Sequence, residues 1–222
     1  MKILYLETSS KNCSVAISDN DELLCLCEEV SENYKQSESL HTFVEWALEG
    51  AEISLQDIEA VCLGKGPGSY TGLRIGAASA KGFCFGLNIP LIAINSLDSL
   101  AEPYFNQDYD LVIPIVDARR MEVYCKIFNG KGQEISETEA KIIDENSFSE
   151  FGDKKIVFVG DGAKKVQETV NLENTTYISN AYPSAKNLIR KANEHVKNDQ
   201  FEDVAYFEPF YLKDFHGVKK KS

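Results

Sequence analysis

The 222-residue sequence contains no apolar run approaching the ~18 residues of a bilayer span, which excludes a helical membrane segment within it. Its opening run, Ile3-Leu4-Tyr5-Leu6, turns polar at Glu7-Thr8-Ser9-Ser10. That is too short for a secretory signal, so a cytoplasmic protein is expected. No C-x-x-C pair occurs among the six cysteines, at 13, 25, 27, 62, 84 and 125. All lie in apolar stretches, which reads as reduced, buried thiols without a zinc motif. Histidine is scarce: His41, His195 and His216 are far apart and form no H-E-x-x-H. Neither G-x-x-x-x-G-K-[ST] nor G-x-G-x-x-G is present, which removes the P-loop and Rossmann readings. No low-complexity linker interrupts the chain. Positive charge is also short, with 23 Lys+Arg against 35 Asp+Glu and a net charge of −12. Residues 1–103 hold 6 cations and 15 anions, and residues 104–222 hold 17 and 20. Such an acidic first half repels a phosphate backbone, so the chain alone is not expected to bind nucleic acid tightly. A basic protein partner is its natural complement.

What is present is an alternation of strands and helices. Ile3–Leu6, Cys13–Ser18 and Leu23–Val30 read as three strands, the last two joined by an Asp19-Asn20 turn. Leu40, Phe43, Val44, Ala47 and Leu48 recur with helical spacing and predict a helix over 38–50. A short strand at 60–63, a helix over 72–87 and a strand at 91–94 follow. Ser96 is placed to cap a helix starting at Leu97. The order β-β-β-α-β-α-β predicts a mixed sheet with helices packed against it. After Glu102-Pro103 the pattern restarts: an apolar run at 111–116, the turn Asp117-Ala118-Arg119-Arg120, an alternating run at 122–128, and a hairpin closed by Asn129-Gly130. Two strand–acid–turn–strand units, one opening each half, suggest a duplicated domain with halves 1–103 and 104–222. The strand 156–159, the turn Gly160-Asp161-Gly162-Ala163 and a helix over 184–197 lie in the second half. The C-terminal tail, 204–212 with Lys219-Lys220-Lys221 beyond it, is a candidate to pack back on the first half.

The most informative stretch runs from Gly64 to Gly76, Gly-Lys-Gly-Pro-Gly-Ser-Tyr-Thr-Gly-Leu-Arg-Ile-Gly. Its glycines, Gly66 and Gly68 among them, let a backbone or a phosphate come close. Thr71 is placed to cap the following helix. Along that helix Gly72, Gly76, Ala80 and Cys84 form a ridge of small residues. Two helical glycines cost ~1 kcal/mol each against alanine, which implies a close neighbour. That neighbour is either the chain's own sheet or helix, or a helix of another chain. Trp46 lies off the apolar stripe of the first helix, with Thr42 and Glu49, as an interface anchor would. Together these residues favour an assembly surface built from 38–50 and 72–87: His41, Thr42, Glu45, Trp46, Glu49, Gly72, Leu73, Gly76, Ala80 and Phe83.

The string from Gly66 to Gly76 resembles the hallmark of the TsaB (YeaZ) family. Similar stretches follow in order along almost the whole chain: Glu7-Thr8-Ser9, then 94–101, the run from Val116 to Tyr124, Gly160-Asp161-Gly162-Ala163, and 209–213. The resemblance implies an α/β protein of the actin-like ATPase (ASKHA) fold, with two related subdomains. It implies a non-catalytic role beside the catalytic paralogue TsaD and the ATPase TsaE, in N6-threonylcarbamoylation of adenosine 37 of tRNAs reading ANN codons. In the family the two helices above form the heterodimer face, which also supports self-association when a member is alone. The complex uses ATP and magnesium and touches tRNA, whereas this chain is expected to bind no cofactor strongly by itself. Its vestigial phosphate turns would be Glu7, Thr8, Ser9, Gly66, Gly68, Ser69, Asp117, Gly160, Asp161 and Gly162. Two positions depart from the family pattern: Glu7 replaces an aspartate, and Lys213 replaces an arginine and loses its bidentate geometry.

No complete catalytic constellation is apparent. Where the catalytic paralogue carries H-x-x-x-H on its first helix, this chain has His41-Thr42-Phe43-Val44-Glu45. Ser69 and Cys13 have no assigned base. The rival readings are a small ATPase or metabolite kinase of the same fold and, third, a glycoprotease-like metallopeptidase.

Overall fold

The computed structural model describes residues 1–31 and 36–213, with the side chains of 36 and 37 left aside. His216 and Lys219–Lys221 lie outside the described residues. The first sheet is built from β1 (Lys2–Glu7), β2 (Asn12–Asp19), β3 (Glu22–Val30), β4 (Ala60–Gly64) and β5 (Leu91–Ile94), in the order β3-β2-β1-β4-β5. β1 to β3 run antiparallel, while β4 and β5 run parallel to β1. Helices α1 (Gln36–Gly50) and α2 (Tyr70–Leu87) provide the long crossovers that parallel strands require.

Alternation along β1 fixes the two faces of this sheet. Leu4 and Leu6 enter one core with Leu40, Val44 and Ala47 of α1 and Ala77 and Ala80 of α2. Ile3 and Tyr5 point the other way, into a core completed by Ala185, Leu188, Ile189 and Ala192. Each of these β1 side chains is fully buried, which contributes about 2 kcal/mol apiece.

The second sheet repeats the scheme. β6 (Leu111–Asp117), β7 (Glu122–Cys125) and β9 (Glu139–Ile142) are antiparallel neighbours, and β10 (Ile156–Val159) and β11 (Thr175–Ile178) run parallel to β6. A short β8 (Phe128–Asn129) also pairs with β6. With the short β8 set aside, the five remaining strands of the second half take the same order as the first, 3-2-1-4-5. This is the duplication that the repeated strand–acid–turn–strand pattern suggested.

The helices closing the halves change places. α3 (Ser96–Ala101), which follows β5, sends Leu97, Leu100 and Ala101 into a core of the second sheet with Val112, Val157 and Val159. Asp98 of α3 is 2.8 Å from Lys126 Nζ, both largely buried, which fastens the helix there. Burial raises the Asp98 carboxyl above its usual range, and the Lys126 charge opposes the rise. In return α5 (Ile189–Lys197), which follows the second sheet, covers the first. The two crossings meet where Ser99 Oγ donates to Ser184 O at 2.8 Å and accepts from the Ser184 amide at 3.1 Å. The tail returns to the first half as well: Phe207 joins its core, and the Phe210 amide donates to Lys65 O at 2.8 Å.

Several local expectations shift. Ser69, not Thr71, caps α2, its hydroxyl accepting from the Gly72 amide. Asn95, not Ser96, caps α3 by accepting from Leu97 N. The turn after β8 runs through Gly132, which supplies the left-handed residue at φ 82°, and not through Asn129-Gly130 alone. The helix expected over 184–197 begins as a tighter turn at Ala185–Leu188 before α5.

Candidate functional site

Two places carry the candidate residues: the β1–β2 turn with the glycine-rich loop, and the outer side of α1 and α2. At the turn, Glu7, Thr8 and Ser9 are at most 2% exposed because the loop from Lys65 to Ser69 folds back over them. The Ser69 amide donates to Ser9 O at 2.6 Å. Thr8 Oγ1 donates to Gly72 O at 2.8 Å. A Cβ on Gly68 would stand 2.2 Å from Ser9 O, and one on Gly72 2.0 Å from Thr8 O, so only glycine fits either place. Gly66, at φ 101°, exchanges hydrogen bonds with Ser96: it donates to Oγ at 3.2 Å and accepts from the amide at 2.9 Å. The glycines thus seat the loop on the turn.

Glu7 is the chemical consequence of that seal. Its Oε1 accepts from the Ser9 amide at 2.8 Å, while Oε2 is buried without a hydrogen-bond partner. Burial raises its carboxyl above the usual range, against the opposing pull of hydrogen bonds from Ser9.

The equivalent turn of the second sheet is open. Asp117 is exposed, and its Oδ1 accepts from the Arg119 amide at 2.6 Å and from Lys165 Nζ at 2.7 Å. Asp161, before α4 (Ala163–Thr169), accepts from the Asp117 amide at 2.9 Å. Burial raises the Asp161 carboxyl; the Asp117 amide, Lys11 and Lys165 counter the rise. Gly160, at φ 121°, and Gly162 bring this loop onto β6, where an added Cβ would meet Ile115 at 2.2 and 2.4 Å. The ten turn residues therefore form two clusters, one on each sheet. Lys213, at the end of the described tail, pairs with Glu122 on β7. A cavity of about 520 Å³ beside the loop presents Glu202, Asp203 and Glu208 with Lys65 as its cation, a charge balance opposed to phosphate.

On the helices the ridge of small residues faces inward. Gly72, Leu73, Gly76 and Ala80 are buried, and a Cβ on Gly76 would lie 2.3 Å from Thr8 Oγ1. These four are not surface residues: the smallness of Gly72, Gly76 and Ala80 lets α2 lie flush on its own sheet, and Leu73 is buried beside them. The outer side of α2 is a second small-residue row, two positions along, with Ala78, Gly82 and Gly86 exposed below Arg74. A Cβ added at Gly82 or Gly86 would meet nothing within 4 Å. Phe85 stands beside them, 87% exposed. Among the described residues nothing asks for glycine at Gly82. From α1, His41, Glu45, Trp46 and Glu49 are exposed and Thr42 partly so. Trp46 is 55% exposed and stacks on Phe43 at 5.6 Å. His41 Nε2 lies 3.4 Å from Ser79 Oγ, and its ring 6.1 Å from Phe83, so the two helices present one surface. Among the described residues no group of three or more His, Cys, Asp or Glu side chains is placed to hold a metal ion. None of their helices is long and apolar enough to cross a membrane.

Two sheets of one topology, each opening on an antiparallel hairpin and closed by an exchanged helix, define an α/β protein of the actin-like ATPase fold class. A family model described as TsaD, tRNA N6-adenosine threonylcarbamoyltransferase, matches residues 28–218. The "tRNA threonylcarbamoyladenosine biosynthesis protein TsaB" of Bacillus subtilis is 31% identical over 166 residues, 72% of this chain and 71% of that protein. The chain belongs to the TsaB (YeaZ) family. The TsaB protein of Haemophilus influenzae is 32% identical over 125 residues, and there the match spans 56% of this chain and about half, 52%, of that protein. The solved structure of YeaZ from Pseudomonas aeruginosa superposes with a TM-score of 0.84 at 24% identity, covering 95% of this chain and 99% of the other.

Proposed function

We propose that this chain is a non-catalytic subunit of the machinery that builds threonylcarbamoyladenosine at position 37 of tRNAs reading ANN codons. It pairs through the outer side of α1 and α2 with a TsaD-type catalytic paralogue and works with a TsaE-type ATPase, in the cytoplasm. Contact with tRNA and the use of ATP and magnesium then belong to the assembled complex. The names of the TsaB relatives support the pathway. The single observation that carries the pairing is Gly82: a helical glycine costing ~1 kcal/mol that no contact among the described residues demands, on the helix that carries exposed Phe85 and beside the helix that carries exposed Trp46. A non-catalytic role is supported by the first turn, where the acid and hydroxyls lie beneath the chain's own loop.

The test is reconstitution of tRNA modification with the cognate TsaD-type and TsaE-type proteins, with and without this chain. Modification should depend on it. Ala78→Arg and Gly82→Arg should abolish pairing while leaving the thermal transition of the monomer within a few degrees of wild type. Undiminished modification without the chain, or intact pairing in both variants, refutes the reading.

A further inference from the structure

Arg119 and Arg120 stand together at the tip of the β6–β7 hairpin, at φ 68° and 52°. Left-handed residues at such tips are usually glycine or asparagine, because a Cβ crowds the neighbouring carbonyl and arginine offers no local compensation. A turn that holds two arginines this way is less stable than the one an Asn-Gly pair would form. Residues that break a local rule are retained for a gain elsewhere.

Among the described residues no carboxylate pairs with either guanidinium, although the Arg119 charge acts on the half-buried Tyr124 phenol. Among the described residues the other two arginines are engaged: Arg190 with Glu102 and Glu194, and Arg74 over the ring of Tyr70. Arg119 and Arg120 are exposed, and neither forms an ion pair with a described residue. Of the two carboxylates on this hairpin, Asp117 is taken by the Arg119 amide and Lys165 and Glu122 by Lys213, so neither pairs with the guanidinium groups. Two apolar side chains flank the same tip. Met121 is 46% and Ile142 71% exposed, and their strands are joined there by the Ile143 amide donating to Met121 O at 2.7 Å.

In a chain of net charge −12 this tip sets two exposed arginines beside two exposed apolar side chains. A phosphodiester backbone would use the arginines but would have no use for exposed methionine and isoleucine. Arginine and methionine beside apolar side chains are what protein interfaces select, and a planar guanidinium matches a carboxylate with two parallel hydrogen bonds.

We propose that the β6–β7 hairpin is a second docking point, which receives an acidic protein surface. Arg119 and Arg120 bind its carboxylates, and Met121 and Ile142 pack against its apolar side chains. The hairpin belongs to the second sheet while α1 and α2 cover the first, so the two surfaces can hold two protein subunits at once. This inference rests on the chain being a subunit of the modification complex.

The double variant Arg119→Asn with Arg120→Gly tests it, because those residues suit the turn. Its melting temperature should equal or exceed wild type, whereas its affinity for the TsaD-type or the TsaE-type protein should fall at least tenfold. Arg119→Glu with Arg120→Glu should weaken the same interaction about a hundredfold, and the salt dependence of binding should shrink in the first variant and reverse in the second. Binding is measured by calorimetry with each protein separately, and with tRNA added to the full assembly. Unchanged affinity for both proteins overturns the proposal. So does a loss confined to tRNA, which would assign the arginines to RNA. Gly82→Arg, measured in parallel, separates the two readings: if it abolishes assembly while the hairpin variants do not, only the hairpin proposal falls. If wild type binds neither protein, the subunit reading falls and takes this one with it.

Discussion

The β1–β2 and β6–β7 turns occupy the same place in two sheets of one topology, yet one is sealed and the other is open. Glu7, Thr8 and Ser9 lie beneath the molecule's surface, whereas Asp117, Arg119 and Arg120 stand on it. The cause is a difference in one connection. Between β4 and α2 the chain inserts Lys65–Ser69, long enough to fold back onto the first turn. Between β10 and α4 only Gly160, Asp161 and Gly162 intervene, and they rest on β6 without covering the second turn. Two related halves can therefore divide structure and chemistry between them through the length of a single loop.

That contrast makes predictions of decreasing size. Gly68→Ala would set a methyl against Ser9 O, a backbone atom that cannot yield, and should cost about 3 kcal/mol in urea denaturation. Gly162→Ala meets first the Ile115 Cγ2, a side-chain atom that shifts only with χ1 of a buried residue, with backbone next at 3.2 Å, and should cost less than Gly68→Ala. Equal losses would show that the second turn is as tightly built as the first.

Glu7→Gln should stabilise the protein, by about 5 °C in melting temperature at pH 8. The folded-state pKa of Glu7 is raised above its ordinary 4.5, so wild type is unimpaired below that value and loses stability as pH rises through the folded pKa. The variant escapes this loss, and the gap between the two should close below about pH 4.5. A gap independent of pH would mean that the carboxyl has the same pKa in the folded and unfolded chain, so that its burial does not raise it. Asp117→Asn, which loses an ion pair at 2.7 Å with an exposed acid, should cost less than about 1 kcal/mol, and less still in high salt.

The strands of both hairpins and the core stripe of α1 were legible in the sequence: β1 and β6, buried on both faces, as short apolar runs, β2 and β7 as alternation, and α1 by its 3.6 period. Trp46 was legible as a surface residue for the same reason, lying off that stripe. The phase of α2 was not. Gly72, Gly76 and Ala80 on one side, and Ala78, Gly82 and Gly86 on the other, recur with the same spacing, and composition cannot say which row meets the sheet. Only the approach of Thr8 decides it. The elements β9, β11 and α4 escaped notice as well, since four to seven residues of mixed polarity give no period to count. The caps at Ser69 and Asn95 were misplaced by one or two residues, the ordinary penalty of reading a helix start from a run of Ser, Thr and Asn.

The exchange of α3 and α5 couples the halves more closely than their separate sheets suggest. A fragment ending at residue 103 would keep all five strands of its sheet but leave Ile3, Tyr5, Cys62 and Ile92 naked on one side. The complementary fragment would lack Leu97 and Leu100 beneath Val112 and Val159. Each piece thus carries the other's missing cover, so the two should aggregate when made apart and complement each other when refolded together.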